Sequence, residues 1–226
     1  MANKDETSPR SFLVLDVDGV LNALAREGDR AVWTDWKSGK AHANGRDWPI
    51  IWSPTVVETL VRWYDEGLCD VQWLTTWQSN AQRDLSRLLG LPEWPVLGGD
   101  CEIPVSRRLP GHLGLLESDY GSDSTDRALR GMWWKADLVL DLLAAEPALP
   151  VLWLDDDLCD YAVLQGHLDA RYDVLALSPA STTGLTPQLL ATAQAWLEQH
   201  GPGQPRQLRS DPADAPAPAA DGDDRG

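Results

Sequence analysis

Two aspartates one residue apart, Asp16 and Asp18, end the apolar run Phe12-Leu13-Val14-Leu15 and are followed at once by Gly19. A short hydrophobic strand that delivers carboxylates to its C-terminal tip, with a glycine to turn the chain, is the layout of a site at the carboxyl edge of an open α/β sheet. Carboxylates this close repel each other, so keeping both ionised costs free energy unless a cation or a shared proton intervenes. A hard oxygen-binding ion such as Mg²⁺ is the natural partner. Three further polar features stand at strand ends or at a helix start: Thr75-Thr76 after Val71-Gln72-Trp73-Leu74, Lys135 entering a helix, and Asp155-Asp156 after Val151-Leu152-Trp153-Leu154. Each alone has an ordinary explanation. Asp-x-Asp-Gly also marks calcium loops and turns, and a run of aspartates often opens a solvated helix.

Strands and helices alternate along the chain, which implies parallel β-α units. Ser11 to Asp16 reads as the first strand. Ser53-Pro54 opens a helix over Thr55 to Glu66, stopped by Gly67. Asp70 to Thr75 is the second strand, Asn80 to Leu89 a helix ended by Gly90 and Pro92, and Pro95 to Leu97 a short strand. Trp133 to Ala145 is helical, Val151 to Leu154 and Tyr172 to Leu177 are strands, and Thr186-Pro187 opens a last helix to about His200. Between the first strand and its helix, Ala31 to Trp36 and Ala41 to Ala43 could pair around a turn at Lys37-Ser38-Gly39-Lys40, making a hairpin flap over Asp16 and Asp18. Residues Gly98 to Gly131 form a long excursion rich in Gly, Ser, Asp and Arg, suited to a small lid or a loop.

With 226 residues and 43% hydrophobic content, the chain suits one α/β domain over residues 11–200, preceded by a flexible N-terminus over 1–10. Residues 201–226, acidic and rich in Pro, Ala and Gly, hold too few large apolar groups to offset their ordering entropy and should be disordered. The net charge of −16 disfavours a protein that grips nucleic acid through a broad basic surface, though not one that admits a nucleic-acid end to a metal-lined pocket. Cys69, Cys101 and Cys159 show no C-x-x-C pair, so neither a disulfide framework nor a zinc site is indicated. No segment approaches a membrane span or resembles a signal peptide, and a soluble cytoplasmic protein with no membrane partner is expected. Most of the twelve tryptophans should serve burial, with a minority free to stack on a flat substrate group.

In this order and context the four polar features resemble the four signature motifs of the haloacid dehalogenase-like (HAD) hydrolase superfamily, over roughly Ser11 to Leu177. The resemblance implies a Rossmann-like three-layer α/β/α fold with a mainly parallel sheet, a β-hairpin flap and at most a small cap. It also implies a Mg²⁺-dependent phosphatase. Asp16 then matches the nucleophile that forms an aspartyl-phosphate, Asp18 the general acid/base, Thr75 (with Thr76 as competitor) the hydroxyl on a phosphoryl oxygen, and Lys135 the neutralising cation. Asp155 and Asp156 match the metal-binding motif, with the ion also taking a carboxylate oxygen of Asp16 and the backbone carbonyl of Asp18. Asp156 is favoured as direct ligand because Asp160 follows four residues later, and Asp155 then orients the shell.

Around the threonine, Trp73-Leu-Thr-Thr-Trp77-Gln-Ser-Asn80-Ala81 is similar to the HAD domain of Swiss Army Knife RNA-repair proteins, although the subgroup's Ala-Asn pair stands here as Asn80-Ala81. That likeness implies a phosphorylated substrate such as an RNA or DNA end. Arg107, Arg108, Arg127 and Arg130 could form a cationic rim for it, although a solvated loop is their ordinary role. Two other classes compete: a binding or regulatory module that keeps the fold without turnover, and a response-regulator receiver. In a receiver the lysine comes last, whereas Lys135 precedes the second acidic cluster.

Overall fold

The computed structural model describes residues 10–24, 31–101 and 129–201. The expectations for the N-terminus, for the tail beyond residue 201, for most of the 98–131 excursion and for Arg107, Arg108 and Arg127 lie outside the described residues. Four parallel strands make the main sheet: β1 (Ser11–Leu15), β4 (Cys69–Trp73), β5 (Val151–Leu154) and β6 (Val174–Leu177), in the order β4-β1-β5-β6. Residues 95–97 extend the β4 edge through one bridge, with Trp73 N donating to the Pro95 carbonyl and Leu97 N to the Trp73 carbonyl. Leu13, Val14 and Leu15 are wholly buried, as a central strand covered on both faces requires.

Two apolar cores flank the sheet, giving three layers. On one face pack α1 (Pro54–Asp65), a π turn (Ala81–Leu85) running into α2 (Ser86–Leu89), and α5 (Pro187–Gln199). The other face is covered by α3 (Trp134–Ala145) and α4 (Ala162–Arg171). Helix α4 carries little sequence signal, because Gly166 interrupts it and only Leu164 and Leu168 are buried. All twelve tryptophans are buried or partly buried, which agrees with a packing role for most of them. The three cysteines are free thiols, and burial pushes the pKa of Cys69 up to about 12. No described helix is long and apolar enough to cross a membrane.

The hairpin exists, but its register differs from the sequence expectation. Its strands are β2 (Lys37–Ala43) and β3 (Arg46–Trp52), paired antiparallel with Ala43 opposite Arg46. The turn is Asn44-Gly45, with φ of 52° and 78°. Positive φ at both central residues is the geometry whose twist matches a two-residue hairpin, and Asn-Gly is the pair that adopts it most readily. Gly39, expected in the turn, lies in strand β2 instead, against Leu88 and Trp52 where a Cβ would crowd the leucine. The expected arm over residues 31–36 is irregular, and its Asp35 has another task. The carboxylate accepts from Ser53 Oγ at 2.7 Å, from Thr55 N at 2.9 Å and from Thr55 Oγ1 at 2.7 Å, capping α1 from twenty residues upstream. Slight burial would raise the Asp35 pKa, but these hydrogen bonds outweigh it and hold it below the usual carboxylate value.

Replacing Asp35 with Ala should therefore cost about 0.5–2 kcal/mol, the usual loss for a helix N-cap. Denaturant unfolding followed by tryptophan fluorescence reads this, and an unchanged midpoint would show that Ser53 alone suffices.

Candidate active site

Chain order places β4 and β5 on opposite sides of β1, so successive connections leave the central strand in opposite directions. A crevice opens at such a switch point beyond the carboxyl ends of the strands. Leu15 is paired with Leu154, and Asp16 N donates to the Leu154 carbonyl at 3.0 Å. Asp16 and Asp155 thus leave neighbouring strands side by side, both shielded from solvent. Their side chains are 7% and 0% exposed.

Lys135 resolves the repulsion. Its Nζ donates to Asp16 Oδ2 and to Asp155 Oδ2, each at 2.7 Å, and its side chain is 3% exposed. Burial lowers the pKa of this ammonium, but the two carboxylates outweigh it and raise the pKa above the ordinary lysine value. The residue sits in the first turn of α3, where the helix dipole disfavours a positive charge. Its position serves the carboxylates and not the helix. The second Asp155 oxygen accepts from Asp157 N at 3.1 Å, and Asp16 Oδ1 accepts from Val17 N at 2.7 Å. Burial, and then the charge of Asp16, raise the Asp155 pKa, with Lys135 opposing.

Asp156 completes the acidic group. One oxygen from each of Asp16, Asp155 and Asp156 lies within 4.8 Å of the others. Burial and the Asp16 charge lift the Asp156 pKa to about 6. Opposite oxygens around an ion bound at about 2.0–2.6 Å stand about 4–5 Å apart, so the cluster has the span of one cation shell. A single ammonium against three carboxylates also leaves an excess of negative charge that a divalent ion would neutralise. Gly19, at φ +74°, packs against Asp156 so closely that a Cβ there would overlap its carboxylate. The glycine of the opening motif is thus required for space as well as for backbone conformation.

Asp18 is held separately. Its two oxygens accept from Asn22 Nδ2 at 2.7 Å and from the Trp77 indole N–H at 2.9 Å. Asn22 in turn accepts from Ile51 N at 2.9 Å, tying the base of the hairpin to the loop that carries Asp18. Neither partner of Asp18 follows from sequence pattern: the Trp77 contact is tertiary, signalled only by the place of Trp77 in the quoted Trp73-to-Ala81 string, and the Asn22 contact is local but depends on how the loop after β1 turns. Thr75 is buried beyond the end of β4, its Oγ1 accepting from Trp77 N at 3.3 Å, whereas Thr76 is exposed. Asn80 Nδ2 donates to the Trp77 carbonyl at 3.0 Å and so shapes this loop. Asp160 is exposed and outside the acidic group. Arg130, one of the arginines that could form a cationic rim but with a solvated loop as its ordinary role, forms a surface ion pair with Asp141 at 2.7 Å.

Exchanging Lys135 for Met keeps most of its volume but leaves Asp16 and Asp155 facing each other unneutralised. The expected loss is about 3–5 kcal/mol at neutral pH, as for a buried pair broken on one side. A raised carboxylate pKa means stability that is present at low pH and lost as pH rises, so the deficit should narrow on acidification. Urea denaturation at pH 7.5 and pH 5 checks both points; a variant as stable as the parent at pH 7.5 would contradict them.

One of three comparisons with known proteins finds a match. Neither a curated protein nor a solved structure matches the chain. The profile of the family described as the HAD domain in Swiss Army Knife RNA repair proteins matches residues 12–190, a span that takes in every element of the site. The sequence motifs, the parallel sheet and this match lead to one statement: the chain belongs to the family of HAD domains found in Swiss Army Knife RNA repair proteins.

Proposed function

We propose that this HAD domain is a Mg²⁺-dependent phosphatase, a phosphoric monoester hydrolase that works through an aspartyl-phosphate on Asp16. HAD domains as a superfamily are generally hydrolytic. One observation carries the reading: a buried lysine shared by a strand-end carboxylate and the acidic motif of the neighbouring strand, 2.7 Å from each. A structural ion pair gains little from such burial, because desolvation offsets most of the attraction. A site that must bring a phosphate dianion to a carboxylate needs that charge.

Asp16 attacks phosphorus through a carboxylate oxygen, forming an O–P bond as the bond from phosphorus to the leaving oxygen breaks. Asp18, held by Asn22 and Trp77, gives its proton to that leaving oxygen. A water molecule then attacks phosphorus, yields its proton to Asp18, and releases phosphate and the free Asp16 carboxylate. Thr75 accepts from Trp77 N, which leaves its hydroxyl proton for a phosphoryl oxygen. Lys135 offsets the charge of Asp16 and of the incoming phosphoryl group. Asp16, Asp156 and the backbone carbonyl of Asp18 would hold Mg²⁺, with Asp155 orienting them through Lys135 and Asp157 N. The bound ion supplies charge neutralisation at the phosphoryl oxygens.

Turnover of p-nitrophenyl phosphate and of 5′- and 3′-phosphorylated oligonucleotides, with Mg²⁺ or EDTA, tests the proposal. Metal-dependent release of phosphate is expected, and Asp16→Asn should lower it by about a thousandfold or more. Absence of turnover on both substrate classes would leave the non-catalytic binding module as the better reading, and an Asp16→Asn variant as active as the parent would remove the aspartyl-phosphate on Asp16.

Mg²⁺ should also raise the melting temperature, since an ion at a hundredfold its Kd adds about 2.7 kcal/mol. With Asp156 titrating at about 6, its ionisation costs stability in the ion-free protein as pH rises from the ordinary carboxylate range through that value. Below it, a proton competes with the ion. The Mg²⁺-induced shift, read by tryptophan fluorescence, should be large at pH 7.5 and small at pH 5. Equal shifts would remove Asp156 from the ligand set.

A further inference from the structure

Trp77 meets the site twice. Its indole N–H donates to Asp18 Oδ2 at 2.9 Å, and its backbone N–H donates to Thr75 Oγ1 at 3.3 Å. One residue therefore stands between the group assigned to the leaving oxygen and the hydroxyl assigned to a phosphoryl oxygen. The Trp77 carbonyl accepts from Asn80 N and from Asn80 Nδ2, each at 3.0 Å. Gln78, next in the chain, has φ 48°, a left-handed conformation that costs a non-glycine residue free energy. The loop after β4 thus keeps a strained backbone at the point where it delivers the indole.

Burial alone does not explain the contact. Trp77 is buried, but so are Trp73, Trp94 and Trp153, whose indole N–H groups have no acceptor among the described residues. Packing a tryptophan into this fold does not by itself require one. Asn22 supplies the second donor to Asp18, and its orientation is fixed. Ile51 N donates to Asn22 Oδ1 at 2.9 Å, which leaves the Nδ2 end of the amide to face Asp18 Oδ1 at 2.7 Å. An indole nitrogen donates and never accepts. Both neighbours of Asp18 are therefore obligate donors.

Hydrogen bonds to an ionised acceptor are roughly twice as strong as those between neutral groups. The two bonds to Asp18 gain strength as its proton passes to the leaving oxygen and the bond from phosphorus to that oxygen breaks. An interaction that is stronger in the transition state than before it lowers the barrier. We propose that Trp77 and Asn22 are positioning residues for Asp18, holding its carboxyl group in place and stabilising the carboxylate it becomes when it protonates the leaving group. This role rests on the phosphatase reading and deepens it. The pair then matters in proportion to how much the leaving group needs a proton. A p-nitrophenolate departs readily without one, and an alkoxide does not.

The test compares kcat/KM for p-nitrophenyl phosphate and for glycerol 2-phosphate, each with Mg²⁺. This ratio covers the steps up to departure of the leaving group and does not depend on later hydrolysis of the phosphoenzyme. Trp77→Phe keeps an aromatic ring and removes the N–H. It should lower kcat/KM on glycerol 2-phosphate at least about tenfold more than on p-nitrophenyl phosphate, a part of the roughly 10²–10⁴ that general acid–base catalysis contributes. Asn22→Asp keeps an acceptor for Ile51 N but turns a carboxylate oxygen toward Asp18, and should shift the preference in the same direction. Asp18→Asn should show the largest shift. The other indole resonances of ¹⁵N-tryptophan-labelled protein should stay in place in Trp77→Phe; where they move, Asn22→Asp decides. Equal falls on both substrates, as a purely structural residue would give, or no fall on either, would overturn the assignment. Absence of turnover by the parent on both substrates would instead sink the phosphatase reading.

Discussion

One buried ammonium holds the site together. Without Lys135, Asp16 and Asp155 would project from adjacent strands into a space almost free of water, and at that separation two ionised carboxylates do not coexist without compensation. The lysine makes them compatible, and in doing so fixes the start of α3 against the tips of β1 and β5. Fold and chemistry therefore share one contact. The ion pair need not contribute net stability over an apolar replacement; under the proposed function its charge is what lets a phosphate approach Asp16.

The surrounding architecture serves this arrangement through short local devices. Gly19 lets the chain turn at positive φ and leaves room for the Asp156 carboxylate. Asn22 and Trp77 grip the two oxygens of Asp18 from opposite sides of the site, one from the loop after β1 and the other from the loop after β4. Because Asn22 also accepts from Ile51, a chain of two hydrogen bonds ties the hairpin to the proposed acid/base group. Asp35 extends the same tie to the first turn of α1. The hairpin is thus anchored at its base by polar contacts near the site.

The sequence determined the strand-end carboxylates, the alternation that makes a parallel sheet, the single lysine in the correct interval and the helix starts marked by Ser53-Pro54 and Thr186-Pro187. These are legible because each depends on neighbours within a few residues: an apolar run ending in a charge, a cap before a proline, a glycine after a helix. The Asn44-Gly45 turn was equally local, yet the glycine at 39 competed with it; only the packing of β2 on Leu88 and Trp52 decided that Gly39 belongs inside a strand. The sequence alone did not reveal α4, whose single interior glycine and sparse apolar pattern are rescued by burial of Leu164 and Leu168 against the sheet. Tertiary structure also decided the partners of Asp18, the remote cap of Asp35, the exposure that separates Thr75 from Thr76 and the diversion of Arg130 to Asp141. Apart from Asn22, four residues from Asp18, the partners in these contacts are 11 to 59 positions apart, and no periodicity or motif records a hydrogen bond that closes only when the layers pack.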